Sequence, residues 1–197
     1  MTFCLSVLIC FIFRNRYHQI RQYHKSIFDH LFSLLIFLPM ATSTITFAIG
    51  LFLQFHQNPF FMTNGWILIV ISHVMISIPF SIRTIFTAYQ QIDVELLNVA
   101  ATLGASRLKM FFSVEIPLIK QSLVVAILYA FAISIGEFGA TSFLARAQYT
   151  TLSLGVSKLF STYSLQLPAA IASILIGITL ICFMLIQIIG DAHSKGK

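Results

Sequence analysis

Four apolar stretches of bilayer length dominate this sequence, at Leu31–Phe55, Trp66–Tyr89, Leu118–Leu144 and Pro168–Ile189. A helix needs about 20 mostly apolar residues to cross a hydrocarbon core of about 30 Å. Lipid offers no partner to an unbonded backbone group, so stretches of this kind are confined to helices. A fifth run, Phe3–Phe13, stops at Arg14 and at about 1.5 Å per residue covers about half a bilayer. Composition points the same way. The chain is 58% hydrophobic and only 9% charged, where soluble domains carry about 25% charged residues. The fold class expected is therefore an all-α integral membrane protein in one domain, residues 1–197, with about five transmembrane helices and the first short or truncated.

The short first run does not read as a signal peptide. No basic region precedes it, and Arg14, Arg16, Arg21 and Lys25 follow it. It is expected to be the inner end of a transmembrane helix whose beginning lies outside this chain. Orientation follows from the basic residues. With the segment after the first run inside, ten of the twelve (Arg14, Arg16, Arg21, Lys25, Arg83, Arg107, Lys109, Lys120, Lys195 and Lys197) lie inside or at the inner boundary, and Arg146 and Lys158 lie outside. The positive-inside rule then puts the N-terminus out and the C-terminus in, with Trp66 at the outer interface. The net charge of +6 is thus a topology signal. It forms no continuous basic stripe or stacking platform for nucleic acid.

Three other classes find little support. Cys4, Cys10 and Cys182 sit in apolar runs without metal spacing. His18, His24 and His30 have no ligand spacing, and His56 and His73 stand isolated, so a membrane enzyme lacks a site. No GxxxxGK[ST] phosphate loop occurs anywhere in the chain.

The segment from Gln90 to Pro117 is too polar to span and too patterned for a simple loop. Asp93 suits the N-cap of a short helix running to Leu103, Gly104 suits the left-handed position that ends it, and Ser106 suits the cap of a second helix. Pro117 is expected to set a boundary before the next span. Two short helices would meet at a glycine elbow on the cytoplasmic side.

These residues resemble the EAA loop of type I permease subunits of binding-protein-dependent ABC importers. That motif reads EAA, three residues, Gly, nine residues, then IxLP; here it stands as Asn98-Val99-Ala100, Gly104, then Val114-x-Ile116-Pro117. Asn98 replaces the usual Glu and Val99 the usual Ala. The resemblance implies a coupling helix, with Ala100, Ala101 and Gly104 allowing close approach to a cytoplasmic ATPase. It also implies that ATP sits on that separate subunit, that no cofactor belongs to this chain, and that a second permease half or a homodimer mate completes the pathway. An extracytoplasmic substrate-binding protein is the further implied partner, at a prokaryotic inner membrane. The external segment Ala145–Leu167, with apolar Leu152, Val156, Leu159 and Phe160, reads as a short surface helix. Its flanking Arg146 and Lys158 are open to either binding-protein contact or interfacial anchoring.

Glu137 lies inside the Leu118–Leu144 run. An ionisable group at membrane depth is costly and marks a functional candidate. Ser134 and Thr141, at i−3 and i+4, are expected on its face. The three are candidate pathway or gate residues, against the plainer reading of an acid satisfied by hydroxyls or backbone of an adjacent helix. Gly136-Glu137-Phe138-Gly139 is similar to molybdate and sulfate permeases. The later Phe143-Leu144-Ala145-Arg146 and Thr151-Leu152 resemble the C-terminal half of iron(III)/thiamine permeases, giving iron(III) or thiamine as the expected cargo. A secondary transporter or channel subunit, or a non-functional permease fragment, is the alternative.

Overall fold

A computed structural model describes residues 34, 37, 38, 41–145, 149–161 and 165–195. The described residues are helical wherever they are regular. We label the helices α1 (Thr44–Phe55), α2 (Pro59–Thr63), α3 (Trp66–Gln90), α4 (Val94–Thr102), α5 (Arg107–Met110), α6 (Ile116–Gly136), α7 (Gly139–Leu144), α8 (Leu152–Phe160) and α9 (Gln166–Lys195). The expected run 3–13, the basic residues Arg14 to Lys25, Pro39 and Arg146 lie outside the described residues.

Among the described residues three helices are long and apolar enough to cross a membrane: α3, the continuous stretch Arg107–Gly136, and Gln166–Gly190 within α9. In the most apolar window of each, 44%, 22% and 11% of residues are buried, respectively. So α3 is the centre of the bundle, and α9 presents most of its surface outward. The stretch read as Trp66–Tyr89 is helical throughout, as α3. Pro79 sits inside α3 without ending it. In the turn before it, the Ser77 hydroxyl donates to the carbonyls of His73 (2.6 Å) and Val74 (3.2 Å). Hydroxyl side chains of this kind help a membrane helix tolerate proline.

α3 and α6 pack along a seam of Ile78, Ile82, Ile85 and Ala88 against Ile119, Leu123 and Ala126. Small residues bring the two backbones close, as membrane helix interfaces require. Ser81 Oγ reaches across to the Ala126 carbonyl at 3.4 Å. A second cluster, Ala48, Leu68, Ile69, Ala140 and Leu144, joins α1, α3 and α7 towards the opposite end of α3.

Two expected stretches and one expected boundary differ in the structure. The stretch Leu31–Phe55 is not one helix, because Ser43 is extended (φ −63°, ψ 137°) and α1 starts only at Thr44. Hydroxyl residues at 42–44 compete locally with helical bonding, which favours a start over a continuation. Twelve residues of α1 reach about 18 Å, short of a full crossing. The stretch Leu118–Leu144 begins earlier and ends earlier than expected, running from Arg107 and stopping at Gly136. Pro117 is not a boundary. It lies in the first turn of α6, and the turn before it widens into a π-helix over Phe111–Glu115. Proline has no N–H for the carbonyl four residues back and its ring crowds that carbonyl; a π-bulge accommodates both without breaking the rod.

Candidate functional site

The elbow between α4 and α5 is built by local capping. Asp93 accepts a hydrogen bond from the Glu95 N–H (2.9 Å) at the start of α4. At its end the Gly104 N–H donates to the Ala101 carbonyl (3.0 Å) and the Ala105 N–H to the Ala100 carbonyl (3.1 Å). That pair of bonds is a Schellman closure, which puts Gly104 at φ +78°, a conformation glycine adopts without penalty. Ser106 then caps α5 through the Lys109 N–H (3.3 Å). Each cap falls where the sequence placed it, with α4 ending at Thr102 rather than Leu103.

Leu97 is buried and tethers α4 to the rest of the fold. The opposite surface is apolar and open: Leu96, Val99, Leu103, Leu108 and Phe112 are all exposed, Leu103 at 82%. Asn98, Ala101 and Gly104 are exposed as well, whereas Ala100, Val114 and Ile116 are half-buried and Pro117 is exposed.

The second candidate region is a break in the bundle at Glu137–Phe138, between α6 and α7. Glu137 is thus not helical, as expected from the apolar run, but extended (φ −70°, ψ 118°). Its buried carboxylate turns back onto the N-terminus of α7. Oε1 accepts from the Ala140 N–H (2.9 Å), and Oε2 from the Thr141 N–H (3.1 Å) and the Thr141 hydroxyl (3.1 Å). A helix N-terminus leaves N–H groups unpaired and carries positive partial charge, so a carboxylate there is stabilised twice over. The main-chain carbonyl of Glu137 is also held, by the Ser153 hydroxyl of α8 at 2.7 Å.

Ser134 does not join Glu137 directly. It bonds His73 Nδ1 (2.8 Å), while His73 Nε2 lies 2.9 Å from Thr141 Oγ1 and 3.7 Å from Glu137 Oε2. The direction of the His73–Thr141 bond follows the imidazole tautomer, since either ring nitrogen can donate or accept. His73 therefore joins α3, α6 and α7 in one network, with Ser134, Glu137 and Thr141 as its other members. The sequence reading of His73 as isolated is corrected by its bonds to Ser134 and Thr141, and Ser153 was not singled out. The rule that singled out Glu137 as an ionisable group at membrane depth would have singled out His73 as well.

Gly139 opens α7 where α1 crosses it. A Cβ there would collide with Thr44 Oγ1 and press on Ile45 Cγ1 at 3.3 Å. On the far side, α8 forms where an external helix was expected. Thr151 caps it through the Leu154 N–H (3.4 Å), and Lys158 Nζ donates to the Thr150 hydroxyl (3.2 Å). Among the described residues no group of three or more His, Cys, Asp or Glu could hold a metal ion.

Helices of this length and apolarity define a polytopic membrane protein. The chain belongs to the family of binding-protein-dependent transport system inner membrane components, whose family model matches residues 19–195. It is 30% identical over 189 residues to a protein of Salmonella typhimurium provisionally named a 2-aminoethylphosphonate transport system permease protein, a match covering 94% of this chain and 69% of that one. It is 35% identical over 127 residues to a molybdate/tungstate transport system permease protein of Pyrococcus abyssi, covering 64% and 51%. A sulfate transport system permease protein of Salmonella typhimurium is 29% identical over 182 residues, covering 87% and 65%. The chain is thus a permease subunit of an ABC transporter, and its relatives are transport permeases, not enzymes.

Proposed function

We propose that this chain forms half of the translocation pathway of an ATP-driven importer for a small tetrahedral oxyanion of the sulfate, molybdate or phosphonate class. The observation that carries the coupling part is the elbow. Leu96, Val99 and Leu103 stand exposed on a helix whose end is fixed by the Gly104 closure, beside the exposed Leu108 and Phe112. So much apolar surface at the polar end of a membrane bundle fits a cleft on a partner. A rigid short helix seated there passes the closing motion of an ATPase to α3 and α6. The π-turn makes α5 and α6 one rod, so the elbow is joined to the transmembrane segment without a hinge at Pro117.

ATP is bound by that partner, since the chain has no phosphate loop; a second permease half or a homodimer mate completes the pathway. The elbow faces the cytoplasm, the N-terminus lies outside and the C-terminus inside, as the distribution of basic residues favours. The opposite face, with α8, receives the substrate-binding protein. Ser134, Glu137, Thr141 and His73 stabilise a gate by holding the break between α6 and α7.

The oxyanion reading rests on the names of the relatives reported above. Iron(III) or thiamine rests on the wording around Phe143–Arg146 and Thr151–Leu152 alone. A photo-crosslinking residue at position 103 is expected to capture an ATPase subunit in membranes. ATP-loaded vesicles with the cognate binding protein are expected to accumulate labelled sulfate, molybdate or 2-aminoethylphosphonate, and neither iron(III) nor thiamine. Capture of no ATPase from position 103 would overturn the coupling role, and uptake of iron(III) or thiamine in place of the three anions would overturn the cargo.

A further inference from the structure

Between the elbow-side ends of α3, α6 and α9 lies a cavity of about 590 Å³. Its size falls within the range of about 300–1,000 Å³ usual for small-ligand pockets. None of the candidate residues at the helix break lines it, and nothing in the sequence pattern marked it, because its walls come from three helices well separated in the chain. The lining chemistry is one-sided. Arg83 is the one charged side chain among the described lining residues, and no carboxylate is among them. Ser122 and Tyr129 from α6 and Gln187 from α9 add hydroxyl and amide donors. Thr84 and Thr87 also line the cavity, but their hydroxyls donate to the carbonyls of Phe80 and Arg83 on their own helix, both at 2.9 Å.

We infer that this cavity is an anion site on the exit side of the pathway, in which Arg83 receives a tetrahedral oxyanion and Ser122, Tyr129 and Gln187 complete its hydrogen bonding. This rests on the oxyanion reading above and assigns it a place in the chain. A guanidinium suits the task because its planar fork meets two oxygens of a sulfate- or phosphonate-like group at once. A single cation, with the remaining donors neutral, gives a weak site, and weakness is what a passage requires: cargo must enter readily and leave again. A lipid phosphate has the same tetrahedral chemistry, so the two sources are separated by experiment.

The test uses the assembled transporter, nucleotide-free and without its binding protein, in phosphatidylcholine nanodiscs. Labelled sulfate, molybdate and 2-aminoethylphosphonate are each titrated to equilibrium. Saturable binding of at least one is expected, weakened about tenfold by Arg83→Gln and largely restored by Arg83→Lys. Ser122→Ala, expected to weaken binding about threefold, keeps the site testable where Arg83→Gln does not assemble. Loss of binding when phosphatidylglycerol replaces part of the phosphatidylcholine supports the same anion site with a lipid phosphate as its occupant. Absence of saturable binding to the wild type, or equal affinities in wild type and both variants, overturns the site. Vesicle uptake separates the failures. ATP-driven uptake of an oxyanion with unaltered binding by Arg83→Gln removes the site and leaves the function standing. Uptake of none of the three removes the oxyanion reading, and this inference with it.

Discussion

The turns at Gly104 and Gly139 are opposite in construction. At the elbow, Gly104 is required by its backbone: φ is +78° and a Cβ would meet open space. At the break, Gly139 is required by its surroundings: its backbone is ordinary, but Thr44 and Ile45 occupy the place of a Cβ. The elbow closes with local bonds and leaves Leu96, Val99, Leu103, Leu108 and Phe112 uncovered. The break closes with bonds from α3, α7 and α8 and leaves the Glu137 carboxylate buried with three donors. A turn that satisfies itself and shows apolar surface is shaped for something outside the chain. A turn that draws on three other helices is shaped to hold them in register.

The largest effect should come from emptying the break. Glu137→Ala leaves the N–H groups of Ala140 and Thr141 and the Thr141 hydroxyl without their acceptor in a low-dielectric setting. Hydrogen bonds to a charged group contribute about 1.5–3 kcal/mol each, with partial relaxation, so a loss of about 3 kcal/mol is expected. Glu137→Gln keeps one acceptor oxygen but turns an amide donor towards a donor, and about half that loss is expected. Thermal unfolding of the solubilised protein measures both, and vesicle uptake should fall in the glutamine variant while membrane insertion persists. An alanine variant as stable as the wild type would show that the carboxylate does not hold the break, and the contrast between the two turns would disappear.

A smaller loss is expected at Gly139. Adding one methyl group by Gly139→Ala forces α1 away from α7, at about 1–2 kcal/mol for overpacking. Thr44→Ala removes the oxygen in the way and should recover part of that loss, since Ile45 still presses from the side. A double-mutant cycle between positions 44 and 139 therefore should be non-additive. Strict additivity would mean that the approach of the two helices is not what demands glycine there.

What was legible in the sequence divides along the same line. The elbow could be read because its determinants are local: Asp93 reaches two residues ahead, Ser106 three, and Gly104 answers to its own φ. The spans could be read because lipid permits nothing else from such composition. The break was not read, because Leu118–Leu144 carries no charged residue besides Lys120 and Glu137, and the His73 and Ser153 bonds that help to hold it come from other helices. His73 is 61 residues from Ser134 and 68 from Thr141. Ser43 and Pro117 failed in opposite senses for one reason. A hydroxyl run and a proline both weaken helical bonding, and whether the chain stops or bulges depends on the packing around it.

The smallest effect on stability is expected at the elbow, and it is the most telling. Leu103 is 82% exposed, so Leu103→Asp removes almost no packing, and a surface change of this kind shifts stability by about 0.5 kcal/mol or less. The same substitution puts a charge where the proposed ATPase cleft would have to desolvate it without a partner, which is costly at an interface. The variant should therefore melt with the wild type yet fail to co-purify with the ATPase and fail to import. Glu137→Ala should show the reverse ordering, with the fold weakened first and transport lost as a consequence. Should Leu103→Asp destabilise the isolated chain, the elbow's apolar surface would be packed against its own bundle, and the two turns would differ only in position.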